Sequence, residues 1–77
     1  MKVKELIECL QSQDQDARIV IRGYEGGVDD VDGCEVVTIA VDVHGEWYYG
    51  KHETVSEGSY DDKLYKNAPR EKAVQIA

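Results

Sequence analysis

The stretch Cys34–Glu53 constrains the fold of this chain more than any other. Its first half is the part of the chain richest in β-branched residues, and its second half holds the only tryptophan, Trp47, followed by two tyrosines. Residues of both kinds favour strands, and the pair His44-Gly45 between the two halves is a turn signal. The stretch therefore predicts a central β-hairpin that closes with a two-residue loop.

In this hairpin Ala40 would face Tyr49, and the side chains would alternate between two faces of the sheet. One face suits a helix packed over it. The other face is also apolar, because it would hold Val20, Val36, Ala40, Trp47 and Tyr49. Either the segment 60–65 or a second copy of the chain must cover that second face. A small domain often needs oligomerisation for stability, so we expect a symmetric homodimer with Trp47 and Tyr49 near the interface.

The opening segment, residues 2–13, has the pattern of an amphipathic helix. Its apolar residues recur at spacings of three and four positions and form one stripe. A single stripe predicts a helix that covers one face of the sheet. The predicted core joins this stripe to the strands and consists of Leu6, Ile7, Leu10, Ile19, Ile21, Ile39 and Val41.

The remaining segments complete the predicted fold. Residues 17–22 and 72–77 form further strands, the latter with Val74 and Ile76 facing inward. Residues 59–62 fit a capping box, which would begin a short helix whose buried side is Tyr60, Leu64 and Tyr65. The predicted fold class is α+β, with one main N-terminal helix packed on an antiparallel sheet of three to five strands. The 77 residues are expected to form a single small domain, 1–77.

Residues 23–33 are rich in glycine and acidic side chains, and they predict an irregular, mobile loop. Its carboxylates could hold a hard cation, but Val28 and Val31 stand where a calcium loop needs oxygen ligands. We therefore expect no metal site here. The candidate partner- or ligand-binding residues come from this loop and from the second half of the hairpin: Tyr24, Glu25, Gly26, Gly27, Asp29, Asp30, Trp47, Tyr49 and His52.

The chain carries a formal net charge of −7. This charge disfavours binding to nucleic acid or to an anionic membrane. It is typical of a soluble small domain, and it would also suit a basic protein partner or the imitation of a nucleic-acid backbone. The two cysteines lack the spacing of a metal or redox motif and fit a reducing compartment. No signal peptide and no run long enough to span a bilayer is present, so we expect a soluble cytoplasmic protein.

No motif for nucleophilic, phosphate-binding or cofactor chemistry occurs, so we expect neither catalysis nor a cofactor. The hairpin register would place His44 at the tip and His52 opposite Val37, too far apart to share a metal ion. The leading interpretation is a protein-interaction or regulatory module. The alternative is a small-ligand or nucleotide binder that uses the glycine-rich acidic loop as a lid over Trp47 and Tyr49.

Three segments also carry a resemblance to known proteins: the helix Val3–Leu10 with its "ELI..L" pattern, the strand Asp16–Ile21, and Gly23–Gly27. Together they resemble small uncharacterised proteins encoded in bacterial genomes, phages and other mobile elements. The resemblance covers about the first third of the chain and extends weakly to residues 47–50 and 52–53. It implies a small cytoplasmic accessory protein.

Overall fold

Two helices and five strands make up the chain, and a computed structural model describes all of it, from Met1 to Ala77. Both sheets are antiparallel, so the predicted α+β class is confirmed. No helix is long and apolar enough to cross a membrane. In chain order the elements are α1 (Val3–Gln11), β1 (Val20–Arg22), β2 (Val28–Asp30), β3 (Cys34–Ala40), β4 (Glu53–Thr54), α2 (Tyr60–Leu64) and β5 (Arg70–Ile76).

The chain divides into two units. The first unit is Met1–Cys34 with Ile76–Ala77, and the second unit is Glu35–Gln75. In the first unit, α1 lies where the apolar stripe predicts a helix, and the Glu5 side chain accepts a hydrogen bond from the Lys2 backbone N–H at 3.3 Å. The helix nevertheless buries none of its residues, and Ile7 is 52% exposed. The predicted burial of its apolar stripe is therefore wrong.

The first unit also contains a hairpin of β1 and β2, in which Val20 pairs with Asp30 and Arg22 with Val28. The prediction that Tyr24–Gly33 is irregular is wrong for Val28–Asp30, which is a strand. A strand beginning at Val28 was the alternative that the sequence left open. The glycines permit this tight reversal. Gly27 has a φ of 63°, and a Cβ at Gly23 would lie only 2.5 Å from the Gly26 carbonyl oxygen. The Gly23 N–H donates to the Gly27 carbonyl at 3.1 Å and closes the loop.

The second unit is built on a three-stranded sheet in the order β4-β3-β5. Ala40 pairs with Glu53, not with Tyr49, so the predicted two-residue hairpin loop is wrong. The chain leaves β3 immediately after Ala40, because Asp42 adopts a φ of 55°, which aspartate tolerates better than most residues. Residues 41–52 then form a long loop before β4 begins at Glu53.

The buried core is much smaller than the sequence suggests. Only Ala40 and Val55 are buried, and Ala40 lies at the one end of β3 where both neighbouring strands flank it. Large apolar side chains are more numerous than sheets of two and three short strands can cover. Four predicted core residues are accordingly half-buried, namely Leu6, Ile21, Ile39 and Val41. The prediction is wrong for the exposed residues Ile7, Leu10 and Ile19, and for the inward placement of Val74 and Ile76.

Helix α2 begins as the capping box predicts, since the Ser59 hydroxyl accepts a hydrogen bond from the Asp62 N–H at 3.2 Å. Its predicted buried side is only partly correct, because Tyr60 and Leu64 are exposed and Tyr65 is half-buried. Arg70, at the start of β5, fixes the other end of the helix. Its guanidinium donates to the carbonyl oxygens of Asp62 at 2.7 Å, Tyr65 at 2.7 Å and Ala68 at 3.0 Å, and to the Asp62 carboxylate at 3.0 Å.

Candidate interaction surface

The loop between β3 and β4 is held at its base by its own polar groups. The His44 N–H donates to the Lys51 carbonyl at 3.2 Å, and the Asp42 N–H donates to Nδ1 of His52 at 2.9 Å. An exposed ion pair joins Lys51 Nζ to Asp42 Oδ1 at 3.6 Å. These contacts close the two ends of the loop against each other, so the tip projects from an ordered base.

His44 is the centre of this base, with a side chain only 13% exposed. Its Nε2 lies 2.9 Å from Oε1 of Glu53, whose backbone is fixed by pairing with Ala40 in the sheet. The Tyr49 ring stacks on the imidazole with centroids 4.9 Å apart, and the Tyr65 ring meets it edge-on at 5.7 Å. The carboxylate and the two rings orient the imidazole, which anchors the loop to β4 and to the residue that follows α2.

From this anchor the aromatic residues Trp47, Tyr48 and Tyr49, which we call the aromatic arm, run outward. The Tyr49 N–H donates to the Glu46 carbonyl at 3.2 Å and closes a turn under the arm. Successive rings touch, with centroids 5.2 Å apart for Tyr48 and Tyr49 and 5.6 Å apart for Trp47 and Tyr48. The exposed fraction rises along the arm from 58% for Tyr49 to 66% for Tyr48 and 93% for Trp47.

The environment beneath the arm is partly desolvated and acidic. Partial burial raises the pKa of the Tyr65 phenol above its ordinary value of 10.0, and the negative charges of Glu53 and Asp61 raise it further. The aromatic arm and the acidic region beneath it, which contains Glu53 and Asp61, together form the candidate interaction surface.

The predicted site residues of the glycine-rich segment lie in the first unit. Tyr24 is 99% exposed at the tip of the β1–β2 hairpin, beside Glu25, Gly26 and Gly27. Asp29 and Asp30 belong to β2, where Asp30 lies 3.4 Å from Arg18 in an exposed ion pair. No group of three or more histidine, cysteine, aspartate or glutamate side chains in the chain is placed to hold a metal ion.

Three other predicted site residues, Trp47, Tyr49 and His52, lie in the second unit, all in the loop between β3 and β4. Trp47 and Tyr49 are not on a sheet face, contrary to the expectation, because the strand that was to carry them does not form. His52 does not pair with Val37. Its ring instead accepts the Asp42 N–H and closes the loop.

Sequence reasoning missed the two contacts that organise the second unit, the pair His44–Glu53 and the bonds of Arg70 to the end of α2. The first joins residues nine positions apart, and the bonds of Arg70 reach residues eight, five and two positions before it. No hydrophobic periodicity signals such contacts. The residue types alone, a histidine and an arginine that each need polar partners, are the sequence signal for these contacts.

No family model, curated protein or solved structure matches this chain.

Proposed function

We propose that this chain is a non-catalytic protein-interaction module that binds a partner through its aromatic arm. The observation that carries the proposal is that Trp47 is 93% exposed at the end of a loop whose base is fixed. A tryptophan buries about 150–250 Å² when covered. At about 25 cal/mol per Å², covering it contributes about 4–6 kcal/mol before the costs of association are subtracted.

The fixed base makes this surface suitable for binding. Each side chain that must be ordered on binding costs about 0.5–1.5 kcal/mol. The contacts of Tyr49 with His44 and Tyr48 already restrict its ring, and the contact with Tyr48 restricts Trp47. The ordering of these side chains therefore takes place partly on folding, which lowers the entropy cost of binding. Exposed aromatic anchors of this kind often dominate binding energies.

The partner proposed for the arm is a basic protein segment. The chain carries a net charge of −7, and Glu46 immediately precedes the arm. Arginine and lysine side chains bind over the faces of tryptophan and tyrosine, with gains of about 0.5–2 kcal/mol for each contact. Charge and aromatic surface therefore favour the same class of partner.

Self-association is the second part of the proposal. Exposed apolar side chains are numerous, and a core of two buried residues is small for a chain of this length. We propose a homodimer, although the sheet face that was expected to form its interface does not exist. We also propose that the chain is a cytoplasmic accessory protein encoded on a mobile element. The free thiols of Cys9 and Cys34 suit a reducing compartment of this kind.

Calorimetric titration with an oligoarginine peptide tests the arm. We expect binding that weakens as salt is raised, is lost in Trp47→Ala and persists in Tyr24→Ala. Tyr24 is the matched control, because it is an equally exposed aromatic residue in the other unit. An oligoglutamate peptide of the same length should not bind. Equal loss in the two variants would refute the role of the arm, and a thermal shift with nucleotides alone would favour the ligand-binding alternative.

A further inference from the structure

Strand β5 is the one long free edge of the three-stranded sheet. The order β4-β3-β5 leaves two edges, and β4 contributes only two residues to the other one. β5 has seven residues, Arg70–Ile76, and pairs on one side only. A long unpaired edge presents main-chain donors and acceptors to any strand that can reach them.

The hydrogen bonds at the ends of the ladder show which residues of β5 face the free edge. Gly33 and Ala77 exchange both of their main-chain bonds, at 2.9 and 3.1 Å, and the Val41 N–H donates to the Pro69 carbonyl at 3.0 Å. Pairs of this kind recur every second residue in an antiparallel ladder. The main-chain groups of the odd-numbered residues 71, 73 and 75 therefore point to β3. Those of Arg70, Lys72, Val74 and Ile76 point away from β3.

Exposed apolar side chains lie beside this edge. In the same register Val74 is opposite Val36 of β3 as a non-hydrogen-bonded pair, so their side chains are neighbours on one face. Val36 is 65% exposed and Val74 is 43% exposed. A strand added to β5 would extend this apolar patch and cover part of it.

We propose that the chain forms a symmetric homodimer by antiparallel pairing of β5 with β5 of a second copy, which makes one continuous six-stranded sheet. This inference rests on the homodimer proposed above and names its interface. The twofold axis passes Ala73, so that Lys72 lies opposite Val74 of the second copy and Arg70 opposite Ile76 of the second copy.

This register pairs all four outward-facing residues of the strand, whereas each register shifted by two residues pairs only three. All four outward-facing residues find a partner, and the Val74 side chains of the two copies become diagonal neighbours on one face. A shift of two residues in one direction would place Lys72 opposite Lys72 of the second copy, which is unfavourable. A shift in the other direction would leave Arg70 without a partner. These features favour a second copy over an unrelated strand.

The interface leaves the aromatic arm free. β5 lies on one side of β3, whereas the arm belongs to the loop that leads into β4 on the other side. The dimer would therefore carry two arms, and a partner with two basic segments could engage both. Linked binding of this kind raises affinity without any new contact at either arm.

Sedimentation equilibrium at tens of micromolar tests the inference. We expect twice the mass of the 8.7 kDa chain for the wild type and for Val28→Pro, and a monomer for Val74→Pro. Both substitutions place proline where the N–H points away from the paired strand, so neither removes a bond within its own sheet. Val28 is the matched control, since it is a non-hydrogen-bonded residue of β2 opposite Arg22.

Hydrogen exchange on the wild type gives a readout that needs no variant. In the β5-paired dimer the amides of Lys72 and Val74 are as protected as those of Glu71 and Ala73. Fast exchange at Lys72 and Val74 with slow exchange at Glu71 and Ala73 would overturn the inference.

The failures can be told apart. A wild-type mass of 8.7 kDa would remove the homodimer and this interface together. A dimer that survives in Val74→Pro, or that is lost in Trp47→Ala, would keep the homodimer and move its interface away from β5. The masses of the wild type and of Val74→Pro do not bear on peptide binding by the arm, which the calorimetric titration measures separately.

Discussion

Arg70→Ala should destabilise the second unit more than any other single change of a surface charge. The guanidinium donates three hydrogen bonds to main-chain carbonyls and one to a carboxylate, and in this way it joins β5 to α2 and to the turn after it. Alanine removes all four. The carbonyl oxygens of Asp62, Tyr65 and Ala68 would then have to find water.

The magnitude follows from these bonds. A hydrogen bond contributes about 1 kcal/mol net, so the three bonds to carbonyls contribute on the order of 3 kcal/mol. The ion pair adds little, because the Arg70 side chain is 28% exposed and its partner carboxylate is similarly accessible. A domain of this size has only about 3–5 kcal/mol of stability in its core. For a chain this short, a loss of about 3 kcal/mol lowers the melting temperature by roughly 12–24 °C.

Thermal unfolding followed by circular dichroism measures the effect. Lys66→Ala is the control, because Lys66 lines the same surface depression as Asp62 and Arg70 but makes no hydrogen bond there. It should change the stability by less than about 0.5 kcal/mol. Arg70→Lys keeps the charge without the planar donor geometry and should fall between the two. If Arg70→Ala has the same melting temperature as Lys66→Ala, the bonds of Arg70 to the end of α2 do not stabilise the fold.

Three further predictions concern single groups. The Gly58 N–H, and after it Arg70, lower the pKa of Asp62 below 3.8. The ionised carboxylate therefore stabilises the fold fully above pH 3.8, and this stabilisation is lost as the pH falls through the lowered pKa. Asp62→Asn should flatten this acid limb when the free energy of unfolding is measured against pH. The raised pKa of Tyr65 gives stabilisation that is full below pH 10.0 and is lost as the pH rises, and Tyr65→Phe should remove the latest phenol ionisation from an ultraviolet titration. Ala40→Leu should cost about 1–3 kcal/mol by overpacking a fully buried site, whereas Val36→Leu at an exposed position of the same strand should be tolerated; chemical denaturation compares the two.

The local signals in the sequence predicted the elements well where the pattern acts within one turn or one cap. The apolar spacing located α1, and Ser59 with Asp62 located the start of α2. Both depend on contacts between residues three or four positions apart. For the same reason the α+β class could be predicted from the order of helical and strand-like segments.

The sequence could not predict the hairpin register or the core. Strand propensity correctly placed β3. The turn after it depends on the positive φ of Asp42 and on the contact of His44 with Glu53, which residue propensities do not predict. Trp47, Tyr48 and Tyr49, which were predicted to lie in a strand, therefore lie in a loop. Trp47 and Tyr49 are both exposed, but they lie in a loop, so the sheet face predicted for them was wrong.

The two histidines of the second unit share one tautomer but hold the loop through opposite hydrogen-bonding roles. His44 faces a carboxylate with Nε2, and a carboxylate accepts, so the proton is on Nε2; His52 accepts the Asp42 N–H at Nδ1, so its proton is also on Nε2. An imidazole of the same tautomer thus serves as a donor to β4 at one end of the loop and as an acceptor of a main-chain N–H at the other. Nitrogen chemical shifts of the two rings would resolve these two roles.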